Sequence, residues 1–353
     1  MIIDIVLYYG QGRGGLEDVI AKVSRGLKNK GHRVRVFQAY RPQYIEWEEK
    51  LDEIYYYGED IPWGSYLEQY GNGYKKLLES MDKPNIVIAT HVPLQSYICH
   101  VAVNEGSEKK TPIISWIHGP IDFYGGRNFL QYSDAHLAIG ENVMEDLVKT
   151  INREKIFVVG NPVEVKNQKI CKRPDRNLKL LFVGRFSNVE KRLDVLFKAL
   201  ALVKEPWNIK LIGDGIDHDM IVKLSEDLKI YNHIEWTGWK ENPWDYVDEA
   251  SALILTSDLE GFGLVVVEAL ARGIPVISTS CGGPTYMIKD GVNGWLIERG
   301  DYLKLAELIN KIQDGDLDLP KVKSCIDSVL KYDVDNVVDN IEKVLIRECN
   351  TGE

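Results

Sequence analysis

With 353 residues and a formal net charge of -10, the chain is too long for one ordinary core and carries no global pull toward nucleic acid or anionic lipid. A hydrophobic share of 44% and a charged share of 27% are those of a soluble globular protein, and no uninterrupted apolar run approaches the roughly 20 residues that cross a bilayer. The five cysteines, Cys99, Cys171, Cys281, Cys325 and Cys349, lie far apart without a C-x-x-C pair, which argues against a zinc site or a disulfide framework.

The N-terminus enters a strand pattern directly, without the basic segment and apolar core of a secretory signal, so a cytoplasmic location is the default expectation. Short β-branched runs then alternate with amphipathic stretches: IIDIVLYY, LEDVIAKVSRGLKNKG, HRVRVFQAY, and later NIVIAT, PIISWIH and AHLAIG. This rhythm predicts a parallel sheet with crossover helices. Residues 41 to 76 interrupt it with a segment dense in Tyr and Trp, read as an insertion covering the domain edge, or as rings for sugar faces or a membrane interface, with Trp63 the first candidate. IFVVGNPVEVKNQKICKRPDRN ends a strand and turns polar, with Pro162 and Pro174, which makes it the linker. A second set follows: LKLLFVG, RLDVLFKALALVK, NIKLIGDG, MIVKLSEDLKI, HIEWTG, ALILTS, LVVVEALARG and IPVIST. The predicted organisation is α/β with two Rossmann-like, doubly wound domains, 1-168 and 169-335. A helix over 336-353 is expected to pack back on the first domain.

The first turn, Gly10-Gln-Gly12-Arg-Gly14-Gly15, reads as the dinucleotide fingerprint G-x-G-x-x-G. Such a site should carry an acid about 20 residues on, at the end of the second strand, to hold ribose hydroxyls. Here that strand ends in Gln38-Ala39-Tyr40-Arg41, so only an NADP reading survives, with Arg41 on a 2′-phosphate. The second half points elsewhere. SDLEGFGLVVVEALARG holds Glu260 and Glu268 with seven residues between them, the first in a loop at the carboxyl edge of a predicted strand. Gly261, Phe262 and Gly263 supply backbone donors where the next helix begins. LLFVGRFSNVEKRL places Gly184, Arg185 and Lys191 at a strand-to-helix turn, where two cations can neutralise a pyrophosphate.

The ordered set of Gly14-Gly15, His118 in SWIHGP, DAHLAIGEN, VVGNPVE, VGRF with Lys191, IGDG and the paired glutamates resembles the retaining glycosyltransferases of the GT-B fold, family 4, across nearly the whole chain. NPVE, TGWKENPWDYV and LTSDLEGFGLVVVEAL are similar, more narrowly, to the lipopolysaccharide 1,6-galactosyltransferase group, which uses UDP-galactose. The resemblance implies two domains facing across a cleft and a hexose, galactose or glucose, moved from a UDP-sugar to a saccharide or lipid-linked saccharide acceptor. It implies His118, Arg185, Lys191 and Glu260 as catalytic residues. Gly14, Gly15, Gly184, Gly261, Phe262, Gly263, Leu264, Val265, Glu268 and Trp239 would bind the donor, and Trp63 and Arg13 the acceptor. In this scheme Arg185 and Lys191 hold the diphosphate, Glu260 the sugar hydroxyls, Glu268 the ribose and His118 the sugar's 6-hydroxyl.

Neither cofactor nor metal is expected, because the Asp-x-Asp triplets at 217, 316 and 333 read as a helix cap and late polar turns. The family often has Lys-Gly at Lys191-Arg192, and a Glu where this chain reads CGGPTYMI, with Thr285 or Tyr286 the substitute contact. The basic residues of the first helix and its exit, Arg13, Lys22, Arg25, Lys28, Lys30, Arg33 and Arg35, read as a solvated face or as a weak, salt-sensitive contact with the inner face of the cytoplasmic membrane. Competing readings are a GT-B nucleotide-sugar epimerase, an NADP-dependent oxidoreductase and a non-catalytic saccharide- or nucleotide-binding module.

Overall fold

The computed structural model describes residues 1–174 and 177–351; Asp175 and Arg176 of the expected linker, and Gly352 and Glu353 of the tail, lie outside them. The chain divides into two units, Met1–Val163 with Tyr332–Glu353, and Glu164–Lys331.

Unit 1 is built on seven strands: β1 (Ile2–Leu7), β2 (Arg33–Gln38), β3 (Ile54–Tyr56), β4 (Ile86–His91), β5 (Ile113–Ile117), β6 (Ala135–Ala138) and β7 (Ile156–Val158). Their order is β3-β2-β1-β4-β5-β6-β7, with every pair parallel. Helices cover both faces, so the central strands are apolar throughout rather than alternating, and Ile3, Ile5, Val6, Leu7, Val87 and Ile88 are fully buried. One ion pair interrupts this core: Arg35 reaches both carboxylate oxygens of Asp4, at 2.6 and 2.9 Å, and both side chains are fully buried. Burial pushes the Asp4 carboxyl upward, against the lowering pull of Arg35 and a hydrogen bond from the Tyr74 hydroxyl.

The aromatic segment does more than cover an edge. It supplies β3, and Tyr57, Tyr70 and Tyr74 are core residues whose hydroxyls reach Leu7 O, Pro62 O and Asp4 respectively. The final helix, Val334–Thr351, packs on the Gly15–Asn29 helix. Gly26 permits the approach, since a Cβ there would lie 2.5 Å from Val338. Lys30 bridges to Asp339 and Glu342, and His32 Nε2 meets Glu342 at 2.8 Å.

Unit 2 has six strands: β8 (Leu178–Val183), β9 (Trp207–Ile212), β10 (Ile234–Gly238), β11 (Ala252–Leu255), β12 (Val276–Thr279) and β13 (Gly294–Ile297), in the parallel order β10-β9-β8-β11-β12-β13. Both sheets are doubly wound, with the strand order reversing at β1/β4 in unit 1 and at β8/β11 in unit 2. Open α/β sheets bind ligands at the carboxyl ends of strands beside such a reversal. The five cysteines are free thiols.

Candidate active site

In unit 2 the loops leaving β8 and β11 meet at the reversal. After β8 the chain turns through Gly184, Arg185 and Phe186, and the loop after β9 packs against this turn so closely that Cβ atoms on Gly213 and Gly215 would lie 1.9 and 2.3 Å from the carbonyls of Gly184 and Phe186. Asp217 precedes a helix without capping it by its side chain; its carboxylate accepts instead from Asn188 N at 2.6 Å and fixes the short Asn188–Lys191 helix. That corrects its reading as a cap of its own helix. Arg185 is exposed on this turn.

Lys191 ends the short helix and its ammonium lies 2.7 Å from Glu260 Oε1. The same oxygen accepts from the Ser257 hydroxyl at 2.8 Å, and Glu260 is only 9% exposed. Thr256 ties the two loops together, donating to the carbonyls of Lys191 and Arg192 at 3.0 Å each. Arg192 stands at φ 49, ψ 49, the left-handed conformation in which glycine is most at ease. Its guanidinium is clamped by Asp194 at 2.9 Å and Asp258 at 2.6 Å. Ser257, Thr256 and Asp258 are therefore supporting residues that the paired-glutamate motif does not single out, although all three lie in the LTSDLEGFG run.

Gly263, at φ 88, then turns the chain into the Leu264–Ala271 helix, with Phe262 buried beside it. Gly283 approaches so near that a Cβ would lie 2.0 Å from Phe262 O, which explains the glycine of CGGP as backbone packing. Glu268 projects from the second turn of the helix and its Oε2 accepts from the Trp244 indole at 3.0 Å. Trp239, after β10, is about half exposed. Leu264 and Val265 begin the helix and are partly exposed.

In unit 1 the glycine loop is engaged by its own neighbours. Gly12 lies at φ +96, and a Cβ there would fall 1.9 Å from Tyr44 O, so it serves a close crossing of the aromatic segment. Glu17 Oε1 accepts from Gly12 N at 2.8 Å, which places a carboxylate where a phosphate would need that donor. Gln38 occupies the position of a dinucleotide site's acid, and its amide turns back to Gly10 O at 3.1 Å and Tyr40 O at 2.6 Å. Arg41 is paired with Glu59 at 2.7 Å. Each feature on which the NADP reading relied is thus committed elsewhere. Gly14 flanks Glu17, and Gly15 opens the first helix.

His118 follows β5, with its ring 4.4 Å from Trp116, and its Nε2 is buried with no hydrogen-bond partner among the described residues. Burial, reinforced by the proximity of His91, holds its pKa well below the usual histidine range, so the ring is neutral at pH 7. His91 ends the neighbouring β4 at φ 85 and is likewise lowered to about 4 by burial. The signal for this second histidine was in the sequence: NIVIATH and PIISWIH are two β-branched runs that end alike.

Trp63 is 66% exposed and lies on the rings of Tyr8, Tyr9 and Tyr40, with centroids 5.1, 5.7 and 5.1 Å away. Tyr40 and Tyr70 donate to the carbonyls of Ile61 and Pro62 at 2.9 Å each, which pins the backbone that carries it. Arg13 stacks on Tyr44 at 3.8 Å and reaches Glu46 at 3.4 Å. Most of the other cations of the first helix and its exit are also paired, Lys22 with Asp18, Lys28 with Asp52, Lys30 with Asp339 and Glu342, Arg33 with Glu53, and Arg35 with buried Asp4, while Arg25 is exposed. Most of the positive charge there is thus compensated. Among the described residues no group of three or more His, Cys, Asp or Glu is placed to hold a metal ion, and no helix is long and apolar enough to cross a membrane.

Two Rossmann-like units in one chain, with cations and carboxylates meeting at the second unit's strand reversal, define a glycosyltransferase of the GT-B class. Residues 163–327 match the family model "Glycosyl transferases group 1", and residues 13–167 match "Glycosyltransferase Family 4". The lipopolysaccharide 1,6-galactosyltransferase of Escherichia coli (strain K12) is 31% identical over 75% of this chain and 75% of its own length. The chain belongs to the group 1, family 4 glycosyltransferases. Among solved structures, the apo form of the lipopolysaccharide outer core galactosyltransferase WaaB superposes with a TM-score of 0.88 at 27% identity, covering 99% of this chain and 100% of that one. Anabaena Alr3699/HepE in complex with UDP and glucose shares the fold, with a TM-score of 0.79 at 18% identity over 98% of this chain and 100% of that one.

Proposed function

We propose that this enzyme moves a hexose, galactose ahead of glucose, from a UDP-sugar to a saccharide or lipid-linked saccharide in lipopolysaccharide or other cell-surface polysaccharide synthesis, with retention and without a metal. The observation that carries the reading is the Lys191–Glu260 contact at the β8/β11 reversal, one cation and one carboxylate held 2.7 Å apart by Ser257 and Thr256. The relative's name, a 1,6-galactosyltransferase, supports the sugar.

In the reaction the anomeric C–O bond breaks, its electron pair leaves with the diphosphate, and positive charge grows on the sugar. Arg185 and Lys191 stabilise the departing charge, helped by backbone N–H groups around Gly263 and Leu264, and Glu260 accepts from donor-sugar hydroxyls. Glu268 accepts from the ribose. The acceptor hydroxyl attacks the same face and passes its proton to the leaving phosphate oxygen, so no protein nucleophile is required. The same reading assigns Gly14 and Gly15 to the diphosphate and acceptor, neutral His118 to one hydrogen bond with the sugar's 6-hydroxyl, and the pinned ring of Trp63 to an acceptor pyranose. A place at the inner face of the membrane belongs to the same proposal. The acceptor's lipid supplies that attachment, because most charges of the basic helix are paired.

Thermal-shift measurements with UDP, GDP, ADP and NADP test the donor class. Stabilisation by UDP is expected, and stabilisation by NADP alone would overturn the reading. Hydrolysis of radiolabelled UDP-galactose, UDP-glucose and UDP-N-acetylglucosamine in EDTA then ranks the sugars and tests independence from metal.

A further inference from the structure

Glu268 is the one ionisable residue on LVVVEALA, an otherwise apolar eight-residue helix. Its carboxylate does not stand alone. Trp244, buried in the short Pro243–Tyr246 turn of another loop, points its indole N–H at Oε2 from 3.0 Å. Behind the indole lies Arg272, whose guanidinium carbon is 4.5 Å from the ring centroid. Arg272 directs its donors to the backbone carbonyl of Glu268 at 2.9 Å and to Gln168 Oε1 at 2.6 Å. The ring is therefore held in plane by a cation that is itself anchored twice, and the carboxylate is held in turn by the ring.

A carboxylate has about four lone-pair sites, and the Trp244 N–H takes one of those on Oε2. Two adjacent hydroxyls are what a ribose presents, and a pinned acceptor meets them without first losing rotamer freedom. We propose that Trp244 is a positioning residue for donor recognition: by fixing the Glu268 carboxylate it sets the enzyme's preference for ribonucleoside over deoxyribonucleoside diphosphates. This rests on Glu268 being the ribose acceptor.

The test is calorimetric affinity of the full chain for UDP and for 2′-deoxy-UDP, in the wild type, in Glu268→Ala and in Trp244→Phe, which removes the donor and keeps an aromatic ring under Arg272. The wild type should prefer UDP by about tenfold, Glu268→Ala should abolish the preference, and Trp244→Phe should reduce it by roughly threefold or more, the range of one side chain's ordering. A merely structural Trp244 would weaken both ligands equally and leave the ratio untouched. If the ratio falls in Glu268→Ala and stays at the wild-type value in Trp244→Phe, the positioning role is overturned while the ribose reading stands. If Glu268→Ala keeps the wild-type ratio, both fall together. Should Trp244→Phe fail to fold, benzothienylalanine placed at 244 by nonsense suppression exchanges the N–H for sulfur at nearly constant shape, and the same ratio decides.

Discussion

In unit 1 the loop at the strand reversal is closed by its own chain, whereas in unit 2 the loops at the equivalent place end in an ion pair that a ligand can exchange. Gly12 admits the Tyr44 carbonyl, Glu17 takes the loop's N–H, and Gln38 folds back on Gly10. Lys191 and Glu260, by contrast, satisfy each other at 2.7 Å, and Arg185, on the turn after β8, is exposed. A glycine-rich turn announces that something approaches the backbone closely, and in unit 1 that something is protein. Charge follows the same division, since unit 1 buries an ion pair to build its sheet while unit 2 gathers its charges at the edge of its own.

The largest effect expected on this contrast comes from the buried pair. Arg35→Met leaves the Asp4 carboxyl in the core with Tyr74 alone, and should cost roughly 3–5 kcal/mol of stability. Affinity of the folded protein for UDP should change little, because Glu268, Arg185 and Lys191, the side chains proposed for the ribose and the diphosphate, lie in unit 2. Urea titration and calorimetry measure the two quantities, and a fall in UDP affinity without a fall in stability would erase the division of labour.

Lys191→Ala is the complementary cut. Removing a cation that meets the leaving diphosphate should lower turnover by about 10²- to 10³-fold while the fold survives. Glu260→Ala should also depress turnover strongly, through lost contacts to the sugar. Initial rates of transfer from the radiolabelled donor decide the matter; near wild-type rates in both variants would remove the site from the β8/β11 reversal.

Legibility divided along similar lines. The β8 and β11 loops could be read because each functional residue follows a long apolar run within a few positions, so sheet order alone brings Lys191 to Glu260. The two sheets were legible for the same reason, except at β3 and β13. β3 lies inside the aromatic segment read as an insertion, and β13 opens on Gly294, a residue type depleted in strands, which stands there because a Cβ would strike Val276 O at 1.9 Å. Trp244 beside Glu268 could not be read at all, since 24 residues and a loop reversal separate donor from acceptor. The engagement of the glycine loop by Tyr44 was hidden likewise, because close approach names a glycine and never its visitor.

A smaller effect concerns the returning helix. Burial raises the Glu342 carboxyl, but hydrogen bonds from Lys30 and His32 outweigh it and hold the group below its ordinary range. A depressed carboxyl contributes stability that is present above the unfolded-state pKa, near 4.5, and lost as pH falls through the lower folded value. Melting temperatures of the wild type and Glu342→Gln should therefore differ at pH 6 and converge toward pH 3. A gap independent of pH would mean that Glu342 acts by packing alone and that the charges joining the two helices of unit 1 are incidental.

The smallest effect is expected at Arg192, where two terms oppose each other. A non-glycine residue in the left-handed conformation costs about 1–2 kcal/mol, and Arg192→Gly relieves that strain. The same change deletes the pairs with Asp194 and Asp258, partly exposed bridges worth roughly 0.2–1 kcal/mol each. The sum lies near zero, so the unfolding midpoint should scarcely move. Turnover is the sharper reading, because Arg192 is the next residue after Lys191 and its pairing with Asp258 joins the β8 loop to the β11 loop. If glycine leaves both stability and turnover unchanged, the Arg192 clamp only balances the strain of its own backbone, and the Thr256 hydrogen bonds suffice to register Lys191 against Glu260.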